Sequence, residues 1–497
     1  MLALFTLWWA GSGTLLADFG GDNAIYFLTA NHHSPYGVAH PAAAQFASGS
    51  VYPPLYAWLL ALTGGGTSLA AAHRVTALII IATGCAVYGF ARGVGLSRNA
   101  ALAVVTLCAF ARVSLLEGLE LHSEHLYIAC WSAAVWLLSA ERPSPRACLL
   151  AGMAVGAAYL TRSFGITLVA SLLLWLLLTR PRGAWLAVAA ALLPVLYLAL
   201  AHSGNARYLH DLIALYQAHG VVARLGVNLA AVPNAWLGVF GDAALPGSLG
   251  ALPAMLAALA LLGLALRARQ RAFDALSVLA YGVLMVVWPY PAEYERMCYP
   301  LLPFTLVYAV LAMRVLLPRV APPLAAALPL LLALAAIAPF ALLVEARLAA
   351  PPADLALRPY LRSSAWFDPN PAAAFPTLGY QRAITEALHD IAQRDDIPDD
   401  ACLLAIKPSV VALYSRHPVQ GYPPFELDSE TMRARLAAGS CRYLFMMMGA
   451  SPSYPQYYYP YGRLKPWLEI MTVYPNRLLP TQPAAMLARL RETPTQP

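Results

Sequence analysis

From Met1 to about Glu345 the chain alternates long apolar runs with short polar gaps. A helix that crosses the hydrocarbon core of a bilayer needs about 20 mostly apolar residues. Lipid offers no hydrogen-bond partner to bare backbone groups, so each spanning run is predicted to be helical. At this length, about eleven membrane-spanning helices are predicted, near residues 2–17, 72–92, 99–116, 124–140, 148–161, 164–180, 184–202, 247–266, 274–290, 299–317 and 323–344.

Two places in this pattern leave alternatives open. The runs 148–161 and 164–180 abut through Thr161-Arg162-Ser163, so they form either a tight hairpin or one broken element. The first run begins at Met1 without a preceding basic residue, and the Ala-Asp-Phe after it is a poor cleavage site. A secretory signal peptide normally has basic residues before its apolar run and a good cleavage site after it. We therefore expect a retained first helix rather than a cleaved leader.

The composition changes after about Ala346, where charged residues, prolines and tyrosines return at ordinary density. This shift predicts a membrane domain at 1–345 and a soluble domain at 346–497. Apolar runs that open at Cys402 and Cys441 are typical of strands, and helical stretches at 408–415 and 428–438 complete a small α/β unit. If these strands are parallel neighbours, an oxidising compartment would allow a disulfide between Cys402 and Cys441.

The arginines indicate the orientation of the membrane domain. They fall in alternate gaps, which the positive-inside rule assigns to the cytoplasm. Most acidic residues of this half occupy the other gaps, and parity places the C-terminal domain outside. The chain is thus predicted to be a multi-pass protein of the bacterial inner membrane with a periplasmic C-terminal domain. The arginines are Arg92, Arg98, Arg142, Arg146, Arg180, Arg182, Arg267, Arg269, Arg271, Arg314 and Arg319.

Composition supports the assignment as a membrane protein and argues against a nucleic-acid partner. Hydrophobic residues make up 60% of the chain, charged residues 11%, and the mean hydropathy is +0.60. Soluble domains carry about 25% charged residues. The net charge of +7 does not indicate a nucleic-acid partner, because the arginines are dispersed in short turns rather than gathered on one face. Membrane lipid is the expected environment.

The first outer loop, at about 18–71, holds the most suggestive polar residues. The apolar spacing after Asp22 predicts a short helix lying along the membrane surface, and a second surface helix is predicted after Pro53-Pro54. Asp22 would stand near the start of the first helix, where an aspartate commonly serves as the N-cap. Capping and chemistry are therefore both open roles for Asp22.

Several motifs of this chain resemble those of the GT-C glycosyltransferases. The resemblance is closest to the bacterial branch related to the protein O-mannosyltransferases and the lipid A aminoarabinose transferases. It covers most of the chain, with the motifs in family order. They are Asp22-x-x-x-Tyr26, Tyr52-Pro53-Pro54-Leu55-Tyr56, His122-Ser123-Glu124, Tyr159-Leu160-Thr161-Arg162, Glu295-Arg296 with Tyr299-Pro300, and Leu403 to Lys407-Pro408.

The resemblance implies transfer of a sugar from a polyprenyl-phosphate donor in the outer leaflet to an acceptor, usually with inversion. An aspartate at the position of Asp22 is implied to be the general base for the acceptor hydroxyl, which loses its proton as the new bond forms. The leaving lipid phosphate needs cations, and arginine can bind it in a bidentate manner. Arg296 and Arg162 are the expected phosphate ligands.

A second acid is expected from the second outer loop, where Glu124 matches the family motif. The alternative for Glu124 is a carboxylate that the helix dipole favours at a helix start. Substrate contacts are expected from the other polar residues of the matched segments: Asp18, Tyr26, Tyr52, Tyr56, His122 and Tyr299.

The chain departs from both subfamilies. The aminoarabinose transferases have an acidic residue and a lysine where this chain has Val51-Tyr52, and the mannosyltransferases have Asp-Glu where it has Asp22-Asn23. His32, His33 and His40 lack the spacing of a metal site. The sequence indicates no cofactor and no metal ligands, and it leaves dependence on a divalent metal open.

Two other function classes compete with the transferase. A transporter or flippase of lipid-linked sugars would carry charges at mid-membrane, whereas the polar residues here gather in the outer loops. An O-antigen polymerase or ligase would carry its large outer segment between helices, whereas here it is terminal. The sequence identifies neither the donor sugar nor the acceptor, which is a lipid, a glycan or a protein.

Overall fold

A computed structural model describes most of the chain. The described residues are 21–48, 50, 52–201, 212–217, 220–240, 250–350, 357, 364–367, 371–422, 428–447, 465–476 and 483–491. The predicted first helix and Asp18 lie outside these ranges.

The chain divides into two compact units. The first contains the described residues of Ser50–Tyr56 and His73–Ala349, and the second those of Gly13–Gly49, Ala57–Ala72 and Ala350–Pro497. The sequence-based division, a membrane domain at 1–345 that includes the first outer loop and a soluble domain at 346–497, stays a prediction.

Helices make up most of the structure. In chain order they are α1 (Asp22–His33), α2 (Ala43–Ser48), α3 (Leu55–Leu62), α4 (Leu69–Gly93), α5 (Arg98–Phe110), α6 (Arg112–Leu119), α7 (Glu124–Leu138), α8 (Pro145–Thr161), α9 (Ile166–Thr179), α10 (Ala184–Ala201), α11 (Val221–Phe240), α12 (Ala251–Arg269), α13 (Phe273–Val287), α14 (Tyr294–Cys298), α15 (Leu302–Leu316), α16 (Pro322–Ala349), α17 (Pro371–Ile391), α18 (Pro408–Ser415) and α19 (Ser429–Ala438).

The protein is a multi-pass membrane protein with several apolar spans. Four described segments are long and apolar enough to cross a membrane: Leu69–Gly93, Ala251–Arg269, Pro291–Leu316 and Pro322–Ala349. The pair α5 and α6 would be a fifth span, bent by 59°, and Ala111 between them has extended backbone. Shorter apolar helices begin at Ser163, Ala184 and Phe273. The count of about eleven spans stays a prediction.

The helix starts follow from local chemistry. Ser97 and Ser144 cap α5 and α8, and each hydroxyl accepts a backbone N–H of the first turn. Pro145 follows Ser144 at the first helical position, where its missing N–H costs nothing. The two abutting runs of the sequence are two helices, α8 and α9, joined through a short 3₁₀ turn at Ser163–Gly165.

Aromatic rings form the centre of the first unit. The rings of Trp131 and Phe304 lie 4.4 Å apart, and those of Trp131 and Tyr281 lie 5.2 Å apart. The indole N–H of Trp131 donates to Ser277 Oγ over 2.9 Å, because a buried polar atom needs a partner. A Cβ at Gly263 would collide with the Tyr308 carbonyl, so α12 and α15 pack closely through a small residue.

The second unit contains a five-stranded mixed sheet with strand order β2-β1-β3-β5-β4. Its strands are β1 (Leu403–Ala405), β2 (Val419–Gly421), β3 (Tyr443–Met447), β4 (Leu468–Pro475) and β5 (Pro483–Leu490). β1 pairs in parallel with both β2 and β3, and β5 is antiparallel to β3 and β4. The structure joins Cys402 and Cys441, which precede β1 and β3, in a disulfide with Cα atoms 4.4 Å apart.

The first loop is tied to this sheet unit by side-chain hydrogen bonds. Gln45 on α2 bonds both the carbonyl and the N–H of Val419. His40 Nε2 lies 3.0 Å from the Leu413 carbonyl, and His40 Nδ1 accepts the Ala42 N–H. These contacts fix the segment between α1 and α2 on α18 and β2.

Candidate active site

Asp22 is the first residue of α1, and Gly21 occupies the N-cap position with φ of 97°. The aspartate is therefore not the N-cap residue, although its charge still suits the positive end of the helix dipole. The Gly21 carbonyl accepts a hydrogen bond of 3.0 Å from Ser409 Oγ, which fixes the start of α1 against the start of α18. A Cβ built at Gly21 would lie 4.0 Å from Lys407 Cδ, so the stem of Lys407 passes close by.

The three tyrosines of the first loop differ in their surroundings. Tyr26 is buried within α1, and Tyr52 is half-buried after a turn in which its N–H donates to Ser50 Oγ over 3.2 Å. Tyr56 is completely buried, and its hydroxyl lies 2.7 Å from Thr76 Oγ1. That bond holds the start of α3 against α4.

Glu124 is the centre of a charged cluster in the first unit. Its side chain, at the start of α7, is 0% exposed, and its Oε1 is bonded by both Arg296 Nε and Arg162 Nη1. Among the described residues, its Oε2 has no hydrogen-bond partner. The arginine side chains retain 16% and 20% exposure. The carboxylate is thus buried beneath two cations that remain partly accessible.

Glu117 and His122 extend this cluster. His122 Nδ1 lies 2.7 Å from Glu117 Oε2, and the same oxygen lies 3.6 Å from Arg296 Nε. With Glu124 they form the one group of three potential metal ligands found among the described residues, their ligand atoms within 4.8 Å of one another. Two guanidinium groups already bind Glu124, and their positive charge opposes a divalent cation there.

A chain of hydrogen bonds lies next to the cluster. His125 Nδ1 is 3.0 Å from Tyr299 Oη, which is 2.9 Å from Ser114 Oγ. These three side chains border a cavity of about 40 Å³, enough for about two or three water molecules. Within the described part of the chain, the buried His125 Nε2 has no hydrogen-bond partner.

The structure brings together four residues singled out from the sequence: Glu124, Arg162, Arg296 and His122. Tyr299 lies in the adjoining hydrogen-bonded chain, whereas Asp22 and Tyr26 belong to the second unit. Two pairings were not predicted from the sequence, that of Glu117 with His122 and that of His125 with Tyr299. A signal existed in both cases, since both residues flank the matched segment around Glu124.

Comparisons with known proteins concern the family and the fold. Residues 51–203, less than a third of the chain, match the model of a family described as dolichyl-phosphate-mannose-protein mannosyltransferase. No curated protein sequence matches the chain significantly. The match confirms the resemblance to the mannosyltransferase-related GT-C family that the motifs indicated.

Solved structures share the fold across most of the chain. ArnT from Cupriavidus metallidurans bound to undecaprenyl phosphate superposes with a TM-score of 0.52 at 15% identity, over 100% of this chain and 97% of that one. The archaeal oligosaccharyltransferase AglB from Archaeoglobus fulgidus, in complex with an inhibitory peptide and a dolichol-phosphate, gives 0.50 at 12% identity. That alignment covers 89% of this chain and 69% of AglB. At these identities the likeness establishes the fold.

Proposed function

We propose that this protein is a glycosyltransferase that moves a sugar from a polyprenyl-phosphate donor to a lipid, glycan or protein acceptor. The family match and the ArnT-like fold support a membrane-embedded transferase, and one solved ArnT structure contains undecaprenyl phosphate. The reaction takes place on the periplasmic side of the inner membrane and inverts the anomeric centre.

The proposal includes a membrane domain at 1–345 with about eleven spans and a periplasmic domain at 346–497. Helices α1 and α3 then lie along the membrane surface. Their aromatic and apolar residues, including Tyr26, Tyr56 and Trp58, suit the headgroup zone.

The pairing of Glu124 with Arg162 and Arg296 is the observation that carries the proposal. A buried charge is costly unless it is paired and hydrogen-bonded, and Glu124 has two cationic partners. Both arginines come from segments that match the family motifs. We assign Glu124 as a positioning residue that orients the two guanidinium groups, rather than as a second proton-transfer acid.

The arginines bind the phosphate of the donor lipid and stabilise it as it leaves. When the bond between the anomeric carbon and the phosphate oxygen breaks, negative charge builds up on that oxygen. Guanidinium groups suit this charge because they offer planar, bidentate donors that remain protonated. The leaving phosphate therefore needs no general acid.

Asp22 acts as the general base. The acceptor hydroxyl attacks the anomeric carbon and gives its proton to the Asp22 carboxylate as the glycosidic bond forms. Asp18, Tyr26, Tyr52 and His122 are proposed to contact sugar or acceptor. The hydroxyls of Tyr56 and Tyr299 are hydrogen-bonded to side chains of neighbouring helices. We therefore propose that these two tyrosines shape the site and do not contact the substrate through their hydroxyls.

The test is a transfer assay on the purified protein, using a panel of polyprenyl-phosphate sugars and a membrane-lipid extract as acceptor. Wild type should release polyprenyl phosphate and form one glycosylated product. Asp22→Asn should slow transfer at least about 100-fold, the usual contribution of a general base. Asp399→Asn, which changes an exposed aspartate of the same unit, should match wild type.

Two results would count against the proposal. If Asp22→Asn and Asp22→Ala both transferred at the wild-type rate, Asp22 would not be the base. If the wild type moved intact donor across liposome membranes and never cleaved it, the protein would be a transporter of lipid-linked sugars.

A further inference from the structure

A second cavity lies in the first unit. Charged residues line it, and it has no part in the proposed transfer. Its volume is about 450 Å³, and its lining includes Arg92, Arg314, the turn 95–97 and apolar residues such as Val320 and Ala325. It lies where α4 and α15 end and where α5 and α16 begin. The arginine bias predicts that this end of the helices faces the cytoplasm.

Among the described residues, two cations and no acidic residue line the cavity. Arg92 Nη1 donates to the Leu96 carbonyl, and Arg314 Nη1 donates to the Gly95 carbonyl over 2.9 Å. The turn thus holds both guanidinium groups beside one opening. Each guanidinium has five N–H donors, and the buried Nε–H of Arg314 has no acceptor among the described residues.

These arginines differ from four partly buried arginines of the unit. Arg112, Arg162, Arg267 and Arg296 all pair with carboxylates. Within the described chain, Arg92 and Arg314 bond only to backbone carbonyls. Their positions in the last turns of α4 and α15 suit the helix dipoles. That preference explains two cations, but not the open cavity between them.

The helix starts add to the positive field. Ser97, which lines the cavity, caps α5, and Pro322, also in the lining, begins α16. The N-terminal end of a helix carries a partial positive charge and presents backbone N–H groups. An anion of phosphate chemistry therefore fits the cavity better than a neutral or cationic ligand.

Apolar surface next to the cavity identifies the source of that phosphate. Leu324 and Leu328 lie one turn apart on α16, directly after the lining residue Pro322, and are 66% and 46% exposed. Val315 and Leu316, at the end of α15, are also more than half exposed. A free phosphate ion gains nothing from such a surface, whereas the acyl chains of a phospholipid pack on it.

We propose that this cavity binds the headgroup of an anionic phospholipid of the cytoplasmic leaflet. Arg92 and Arg314 pair with the lipid phosphate, and the acyl chains run along the exposed side of α16. Basic pockets between membrane helices on the cytoplasmic side bind anionic lipids in this way. The inference is independent of the transferase proposal, because it concerns neither Asp22 nor the Glu124 cluster.

Native mass spectrometry of the delipidated full-length protein tests the site. Phosphatidylglycerol and phosphatidylcholine are titrated separately, and the occupancy of the tightest site is measured. Wild type should bind one phosphatidylglycerol in clear preference to phosphatidylcholine. Arg92→Gln with Arg314→Gln should weaken this binding roughly 30-fold, since each arginine near an anionic lipid contributes about 1 kcal/mol. Each single variant should lose about fivefold.

The matched control is Arg142→Gln with Arg146→Gln, which removes the same charge from exposed residues on the same predicted side. It should bind phosphatidylglycerol as wild type does. Unchanged affinity in the Arg92 and Arg314 variants, or equal loss in the control, would overturn the proposal. Displacement of the lipid by millimolar inorganic phosphate would instead indicate a free-phosphate site and would overturn the lipid assignment. Circular dichroism and size exclusion confirm that each variant is folded.

Discussion

Glu124 and Asp274 are two buried carboxylates of the first unit, and they have the same charge and nearly the same burial. Both oxygens of Asp274 are bonded, by Arg267 at 2.6 and 3.0 Å and by the Tyr308 hydroxyl at 2.9 Å. Glu124 instead receives two arginines on one oxygen and leaves its other oxygen without a described partner. The Asp274 cluster is thus saturated, with a hydrogen bond to each carboxylate oxygen, whereas the Glu124 cluster is unsaturated.

The difference is the one expected between a structural ion pair and the phosphate site that we propose. At Asp274 one cation balances one anion in a bidentate pair, so the group stabilises the packing of α12, α13 and α15. At Glu124 two partly exposed arginines share one carboxylate oxygen, and Glu117 lies 3.6 Å from one of them. The exposed sides of these guanidinium groups are the proposed contacts for an anion from outside. Buried polar groups that are incompletely satisfied often mark function rather than stability.

The largest effect is expected at the unsaturated cluster. Arg296→Gln should lower the rate of sugar transfer about 100- to 1,000-fold, the usual cost of removing one preorganised donor from a developing negative charge. Steady-state kinetics on the folded variant measure the rate, and Arg142→Gln is the control. A wild-type rate for Arg296→Gln would show that the cluster has no part in the reaction.

The second prediction concerns the saturated cluster. Asp274→Asn leaves Arg267 buried beside a neutral partner and should lower the free energy of unfolding by roughly 3 kcal/mol or more. Transfer per folded molecule should stay unchanged. Denaturation midpoints in detergent measure the loss. Asp274→Leu combined with Arg267→Met should recover much of it, because the paired charges are removed together; a fall in transfer rate without loss of stability would place Asp274 in the reaction.

The third prediction concerns the pH dependence of stability, because activity can be compared only where the protein is folded. Burial lowers the pKa of His40 below its usual value of 6.5, and the nearby Arg416 adds to this, against the hydrogen bond to Leu413. Protonation therefore favours the unfolded state, so this stability is present above pH 6.5 and is lost as the pH falls through the lower pKa of the folded protein.

The free energy of unfolding of the wild type should accordingly fall between pH 7 and pH 5, by no more than about 1.4 kcal/mol per pH unit from this group, and the thermal midpoint should fall with it. His40→Gln should be less stable at pH 7 by about 1 kcal/mol, because the bond to Leu413 is weakened, and should show a shallower pH dependence. An equally steep loss in His40→Gln would assign the acid sensitivity to another group.

The smallest effect is expected from chelation. The positive charge around Glu124 comes from guanidinium groups, so EDTA should leave the transfer rate within about twofold of the untreated enzyme. A loss of activity that Mn²⁺ or Zn²⁺ restored would show that Glu117, His122 and Glu124 hold a metal during the reaction. The contrast with Asp274 would then need a different explanation.

Much of the fold follows from local sequence patterns. The apolar runs predicted helices near 72–92, 124–140 and 323–344, and the structure has helices at Leu69–Gly93, Glu124–Leu138 and Pro322–Ala349. Short apolar runs opening at Cys402 and Cys441 predicted two strands, and the structure has them as the parallel neighbours β1 and β3. Strand β5 was not predicted, because Pro-Ala-Ala-Met-Leu-Ala-Arg-Leu is rich in helix formers. Pairing with β3 and β4 overrides that preference.

The site was predictable residue by residue, but not as an arrangement. Motif resemblance selected Glu124, Arg162 and Arg296, yet Glu124 and Arg296 are 172 positions apart in the chain. Hydrophobic periodicity carries no information about which helices become neighbours. The Asp274 cluster was not predicted for the same reason, because the partners of Asp274, Arg267 and Tyr308, come from two other helices.

The most direct test of the account is the dissociation constant for undecaprenyl phosphate, measured on folded protein in detergent. Wild type should bind this lipid, and Arg162→Gln with Arg296→Gln should weaken binding at least about tenfold, since a hydrogen bond to a charged group contributes roughly 1.5–3 kcal/mol. The paired variant Asp274→Leu with Arg267→Met should keep the wild-type affinity. Equal affinity in all three proteins would contradict the assignment of the Glu124 cluster as the phosphate site.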